Sequence, residues 1–352
     1  LSSREQFERQ GFLVQRGLLD PVADLEPLRQ VFARLTFDLA CIYLSEAQVD
    51  IALENLSPAE QFCVMLGASR GAAMHHLDPA LNIFDDNYQW RPDLPDPRPP
   101  ELFHLITHSR LLDAIERLIG PEITATPIYH INQKPSAKHM QLADALARQN
   151  SMDLARHQFY NFQVGRTGWH MDAIAGLPDS HDSNIVNAWI PSTPATAESG
   201  CLMVIPGSHQ FGVRFGPYPP DLDEQGIKLP VEPGDVIFIH NKTMHCSVAN
   251  TSDEGFRCAF NIRYLPTGQP TGRPYLPPFV ARSRSAPGTE LHNPETWRLM
   301  WARALDYIAE HGPPITFQEI RSLGPERAQE ISRHWQKLAP GPEEWLRLGR
   351  RP

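Results

Sequence analysis

The sequence predicts a mainly β fold with helical additions. Three observations point there. Between residues 158 and 264, short apolar runs are punctuated by Pro and Gly, the pattern of a many-stranded core. Helix-start signals flank it: Ser57 with Glu60, Asn293 ahead of Pro294, and Thr316 with Glu319. At 352 residues and 41% hydrophobic content, the chain can bury one large core with its additions.

Residues 1–130 mix helices with the first strands. Ser57 to Arg70 reads as a helix, opened by its capping box and closed near Gly71. Arg91 to Pro100 holds five prolines in ten residues, so it must be a loop or an extended crossing. Residues 135–157 form a helix-like stretch. Gly234-Asp235 turns into a buried strand ending at His240. After the polar break Asn241-Lys242-Thr243, His245 opens a short strand that runs to Asn250. Thr251 to Gly255 reads as a hairpin loop and Phe256 to Tyr264 as its return strand. Pro270 to Pro287 is expected as a linker over the surface. Beyond it, Trp297, Leu299, Trp301, Leu305 and Ile308 recur at helical intervals and read as a packing face.

The chemistry centres on His170-Met171-Asp172. Residues i and i+2 of a strand share a face, so His170 and Asp172 can grip one metal ion together. His245, 73 residues after Asp172, supplies a third ligand from a distant strand. Two His and one carboxylate on one side leave the opposite positions open. That suits non-haem Fe(II) and O2 better than a closed zinc site. His240 competes with His245 as distal ligand, and the Arg that follows favours His245. A hairpin turning near Asp253 would set Arg257 across from Ala249, on His245's face and roughly 13 Å along the strand from it. A short dicarboxylate chelating the metal by one end fits that gap, and the Arg fork binds both far oxygens. Arg263 is the rival anchor, or else a partly buried Arg paired with a carboxylate. His76-Leu77-Asp78 repeats the triplet, but no strand surrounds it, which points to a surface or supporting role. His209 reads as a loop stabiliser.

In its order of motifs the chain resembles the phytanoyl-CoA dioxygenase-like Fe(II)/2-oxoglutarate oxygenases. Phe7 to Pro21 looks like the family's opening helix, strand and turn. Ile131-Asn132-Gln133-Lys134-Pro135 is similar to a central strand ending, and Trp169-His170-Met171-Asp172 to the metal motif. Asn187-Ala188-Trp189-Ile190-Pro191 and Glu198 through His209 match the most recognisable stretch. Gly234-Asp235, His240, His245 and Gly255-Phe256-Arg257 complete a resemblance that covers residues 5–267. It implies a double-stranded β-helix (jelly-roll) core at about 123–267, with Fe(II) on His170, Asp172 and His245. It also implies 2-oxoglutarate anchored by Arg257, with Trp189 lining that pocket and Asn132 a further candidate for it. Halogenases of this kind replace the carboxylate ligand by a small residue, so Asp172 implies hydroxylation. Desaturation, ring formation and epimerisation share the same triad. The 135–157 insert and the loop around His181-Asp182 depart from the family pattern, which leaves the substrate open.

The expected division is residues 1–269 as the oxygenase domain, with 135–157 as a lid or packing helix. Residues 270–352 are then the Pro-rich linker and a helical extension packing on the core. A net charge of −9 and a pI near 5.9 argue against nucleic acid or anionic membrane as partners. No run approaches the ~18 apolar residues of a membrane span. Five cysteines without CxxC spacing suit a reducing, cytoplasmic setting. A small natural-product or amino-acid-like metabolite is the preferred substrate class, since an acyl-CoA needs a cationic groove. The rival readings are a non-catalytic jelly-roll binding protein and a metal enzyme that does not use 2-oxoglutarate.

Overall fold

The computed structural model describes residues 2–78, 80, 90–149, 164–273, 275–311 and 330. Its helices are α1 (Ser3–Gln10), α2 (Glu26–Ala47), α3 (Pro58–Ala68), α4 (Ala72–Leu77), α5 (Pro100–Ile106), α6 (Ser109–Ile119), α7 (Ala137–Gln149), α8 (Leu222–Gln225) and α9 (Pro294–His311). Its strands are β1 (Phe12–Gln15), β2 (Glu122–Pro135), β3 (Val186–Pro191), β4 (Leu202–Val204), β5 (Ile227–Leu229), β6 (Val236–His240), β7 (His245–Ser247), β8 (Phe256–Pro266) and β9 (Phe279–Ser283). They form a six-stranded sheet, β1-β6-β3-β8-β2-β9, and a three-stranded sheet, β5-β4-β7. Every pairing between these strands is antiparallel.

Register decides which residues meet. On the large sheet Lys134 pairs with Arg257 and Asn132 with Ala259, while Trp189 pairs with Asn261 and Asn187 with Arg263. Directly opposed residues share a face, so all of these point one way. Their neighbours Ile131, Ile190, Phe260, Ile262 and Tyr264 point the other way, into a large apolar core shared with the helices. A second core of Phe12, Trp189, Leu202, Val204, Ile237, Ile239 and Ala259 fills the space between the sheets.

The expected balance needs correcting. Among the described residues helix outweighs strand, so the fold is a β core inside a helical coat. The reason is the long apolar outer face of the large sheet, which must be covered to stay out of water. The Pro-rich stretch is also corrected. In place of a surface linker it carries β9, which pairs with Glu122–Ala125 at the edge of the sheet, and Tyr275 and Leu276 are buried. Pro lacks a ladder N–H, but 279–283 contains none, so the strand can form there.

Other local signals hold. Ser57 and Glu60 form their capping box, and the Asn293 side chain accepts from the Glu295 amide at 2.8 Å at the start of α9. The aromatic face of α9 docks Trp297 and Trp301 against Tyr129, with ring centroids 5.6 and 5.5 Å away. The described part of the 135–157 insert, α7, buries Ala143, Leu146 and Ala147 in the helical core. Residues 150–157 of that insert and the Thr316–Glu319 signal lie outside the described residues. Among the described residues no helix is long and apolar enough to cross a membrane.

Candidate metal centre

His170 and His245 face each other across a two-residue antiparallel bridge. Each backbone N–H donates to the other's carbonyl, at 2.9 and 3.0 Å, and the imidazole centroids lie 4.2 Å apart. The Nδ1 atoms sit 2.9 Å from the carbonyl oxygens of Gly168 and Thr243. A carbonyl only accepts, so both rings carry their proton on Nδ1 and turn Nε2 inward as a ligand lone pair. The carbonyl of Thr243 is itself fixed: the Thr243 hydroxyl donates to the Gly11 carbonyl at 2.7 Å. Gly11 has φ +77°, and a Cβ there would lie 2.4 Å from that hydroxyl, so only glycine permits the approach.

Asp172 completes the group. Its Oδ1 lies 3.9 Å from both Nε2 atoms, and the three ligand atoms fall within 4.8 Å of one another. Cis ligands about 2.1 Å from an ion stand about 3 Å apart, so a contraction of about 1 Å closes the site. His170 and Asp172 do not lie on one regular strand, as the triplet predicts. Asp172 begins a single 3-10 turn, and that turn carries its carboxylate into line with the imidazoles.

The carboxylate is held on both oxygens. Arg263 Nη2 donates to Oδ1 at 2.6 Å and Asn187 Nδ2 to Oδ2 at 2.8 Å. Burial alone would raise the Asp172 pKa; the charged Arg263 guanidinium beside it works against burial, and the group is held below its ordinary range. Burial, with His245 beside it, pushes His170 down to about 3, so the ring is neutral and able to bind metal. Three neutral or anionic donors of hard and borderline type, gathered on one side, fit Fe(II).

Arg257 is fully buried on the same inner face. Its guanidinium stacks 5.4 Å from the Trp189 ring and donates to the Asn132 carbonyl at 3.2 Å. Burial lowers its pKa to about 10, which keeps it charged. The structure thus gathers Arg257, Trp189 and Asn132, although Asn132 reaches Arg257 through its backbone. The hairpin expected to set Arg257 opposite Ala249 does not form. β7 pairs with β4 in the small sheet, whereas β8 lies in the large one with Lys134 opposite Arg257. The loop between them crosses from sheet to sheet, so Arg257 stands on the inner face of the large sheet while His245 stands on the small one. Lys134, also buried, is bonded to the Gly165 carbonyl and ties down the approach to His170.

One further property marks this space. Among the described residues, Asn187 Oδ1, Trp189 Nε1, Ser247 Oγ, Arg257 Nε, Asn261 Nδ2 and Arg263 Nε are buried with no hydrogen-bond partner. All six belong to inward-facing positions. Buried polar atoms left unpaired cost roughly 1–3 kcal/mol each; all but the Asn187 oxygen can donate, so those five describe a cradle shaped for a polar, acceptor-rich ligand. A dicarboxylate with a keto group is such a ligand. Asn187, Ser247 and Asn261 are absent from the sequence-based candidates. The alternation rule could have found two of them, since Ser247 is two residues from His245 and Asn261 is four from Arg257.

The rival residues fall elsewhere. His76 is buried, stacked on Trp90, and bonded to the Pro95 carbonyl at 2.6 Å. Asp78 is buried as well, its Oδ2 4.0 Å from His130 Nδ1, so neither lies at the surface. His240 Nδ1 accepts from the Lys242 amide, and His209 Nε2 bonds the Glu8 carbonyl as a loop stabiliser. A cavity of about 510 Å3, lined by Phe32, Ala59, Gln133, Cys258 and Phe260, lies on the outer face of the large sheet, away from the triad.

The sequence profile of the phytanoyl-CoA dioxygenase (PhyH) family matches residues 7–259. The chain belongs to this family. Its relatives include the peroxisomal phytanoyl-CoA dioxygenase of Bos taurus, 26% identical over 281 residues, 75% of this chain and 68% of that protein. The 1-deoxypentalenic acid 11-beta-hydroxylase of Streptomyces arenae is 31% identical over 118 residues, 28% of this chain and 42% of that protein. Apo ThoJ, a non-heme monooxygenase, matches in structure with a TM-score of 0.53 at 16% identity. The match covers 95% of this chain and 100% of that one, and shows a shared fold. As a member of the family the chain is an Fe(II)/2-oxoglutarate-dependent dioxygenase, with His170, Asp172 and His245 as its iron triad.

Proposed function

We propose that the enzyme hydroxylates an unactivated C–H bond of a small metabolite in natural-product biosynthesis. The observation that carries this reading is Asp172, present and held on both oxygens beside two inward-turned imidazoles. A carboxylate fixed in that place keeps the position that a halide would need. The iron and 2-oxoglutarate, when bound, supply oxidation of a C–H bond by O2 with release of succinate and CO2. The protein's part is placement and exclusion of water. On this reading Arg257 binds the far carboxylate of 2-oxoglutarate, Trp189 walls its chain, and Asn132 supports Arg257 from the edge. The two-sheet core is then a double-stranded β-helix. Residues 1–269 carry the chemistry, and the described part of 270–311 braces it.

The Streptomyces relative is by name a hydroxylase of a small acid, which supports the substrate class. The Bos taurus relative is by name an acyl-CoA enzyme; the net charge of −9 weighs against a polyanionic substrate. The five unpaired cysteines suit the cytoplasm. The test is succinate formation by the Fe(II)-loaded protein, with a metabolite panel and an acyl-CoA panel run in parallel. Coupled succinate and a product 16 mass units heavier from the first panel is the expected result. A product two units lighter indicates desaturation or ring closure, and turnover of only the second panel overturns the substrate class.

A further inference from the structure

The hydrogen-bond order around Asp172 fixes which way two buried amides point. An ionised carboxylate only accepts, so the Asn187 group 2.8 Å from Oδ2 must be its NH2. That same NH2 lies 3.1 Å from Asn261, which must therefore present its oxygen. The Asn261 NH2 is left over. It is buried, has no partner among the described residues, and belongs to the inner face between Trp189 and His130, its partners in register. Along β8 it lies four residues from Arg257 and two from Arg263, between the presumed far anchor and the residue that grips the iron ligand.

We propose that Asn261 is a cosubstrate-binding residue. Its NH2 donates to an oxygen of 2-oxoglutarate between Arg257 and the metal, and Asn187 links that contact to Asp172. This rests on Arg257 as the far-carboxylate anchor. The contacts run in one direction, from the Asn187 NH2 to the carboxylate and to the Asn261 oxygen, so the Asn261 NH2 is the group left to meet a ligand on the inner face. Asn187 is then a positioning residue: it orients both the metal carboxylate and the donor that meets the cosubstrate.

The test is binding, read by tryptophan fluorescence with Co(II) in place of iron, alongside thermal melting and metal titration. Asn261→Asp keeps the shape and still accepts from Asn187, but replaces the donor by an acceptor facing an anion. It should weaken 2-oxoglutarate at least tenfold and change Co(II) affinity less than threefold. Asn261→Ala, which removes donor and repulsion together, should fall between that variant and the parent. Asn187→Leu should weaken both ligands. Parent-like binding of 2-oxoglutarate by a folded Asn261→Asp protein overturns the proposal. If Arg257→Ala also binds normally, the anchor itself is misplaced; if Arg257→Ala loses binding while Asn261→Asp does not, only the role of Asn261 is wrong.

Discussion

The two faces of β8 belong to one strand and obey opposite rules. Outward, Cys258, Phe260, Ile262 and Tyr264 pack against the helices, and the one hydroxyl among them donates to the Ile106 carbonyl at 2.8 Å. Inward, Arg257, Asn261 and Arg263 carry charge or amide groups and leave three buried nitrogens without partners. The outer face is covered by the helices, apart from the cavity beside Cys258 and Phe260. The inner face is complete only with ligands, so stability and chemistry are written on alternate residues of the same eleven.

That contrast breaks most sharply at the triad. His245→Ala should reduce turnover to background and lose tight Fe(II) binding, while the melting temperature of the metal-free protein stays near that of the parent. Retained activity would move the ligand to His240. The opposite pattern is expected on the outer face. Phe260→Ala removes a fully buried ring that packs on Phe32 at 5.4 Å, and should cost about 3–5 kcal/mol in denaturant unfolding. Metal and 2-oxoglutarate affinities in the folded fraction should be unchanged. A Phe260→Ala protein of normal stability with impaired cosubstrate binding would erase the division between the faces.

Arg257 comes next. If Arg257 anchors the far carboxylate of 2-oxoglutarate, Arg257→Ala leaves that charge unpaired in a buried pocket, a loss of about 2–5 kcal/mol. Apparent affinity should fall by a factor on the order of 30 or more, with Fe(II) affinity little changed. Lys should restore only part, since it offers a point charge in place of a fork. Arg263 separates the two ligands in the other direction. Because it touches Asp172 and not the far end of the cradle, Arg263→Met should weaken metal binding by about 10–100-fold and cosubstrate binding less than Arg257→Ala does. If Arg263→Met is the change that destroys 2-oxoglutarate binding, the two arginines have exchanged roles.

The sequence disclosed the triad because its signal is chemical: an HxD triplet and a later His with an Arg behind it leave few readings. It disclosed the helix starts because Ser57, Glu60 and Asn293 act on backbone groups within three residues. It did not disclose which sheet each strand joins. β7 and β8 look like a hairpin locally, and only the pairing of His245 with Val204 and of Arg257 with Lys134 separates them. Such partners are remote in sequence, so no local pattern encodes them. The same blindness hid β9, whose Pro-rich surroundings read as linker until the open edge of β2 required a partner. It also left Arg263 open between anchor and ion pair; the 3-10 turn at Asp172 brings the carboxylate to Arg263 at 2.6 Å.

The smallest effect should come from a site outside both faces. Asp235, beside the Gly234 turn that feeds β6, accepts from the Gly17 and Glu232 amides at 2.9 and 3.0 Å and pairs with Arg16 at 2.7 Å. It pins the chain after β1 to the start of β6. Burial works to raise its pKa, but the Glu232 amide, Arg16 and the Gly17 amide outweigh it, and the net shift is downward. A carboxyl whose folded pKa is depressed adds stability above its unfolded value, near 3.8, and loses it as pH falls through the folded value. Asp235→Asn should therefore destabilise the protein by about 1 kcal/mol at pH 7. The gap between variant and parent should narrow as pH drops below about 4, because Asp235 of the unfolded parent then takes up a proton before the folded form does, which favours unfolding. Urea unfolding of both proteins at pH 7 and pH 3.5 measures this, and a gap independent of pH would assign the effect to shape and not to charge. Metal and 2-oxoglutarate binding at pH 7 should not move, since Asp235 touches neither the inner face nor the outer one.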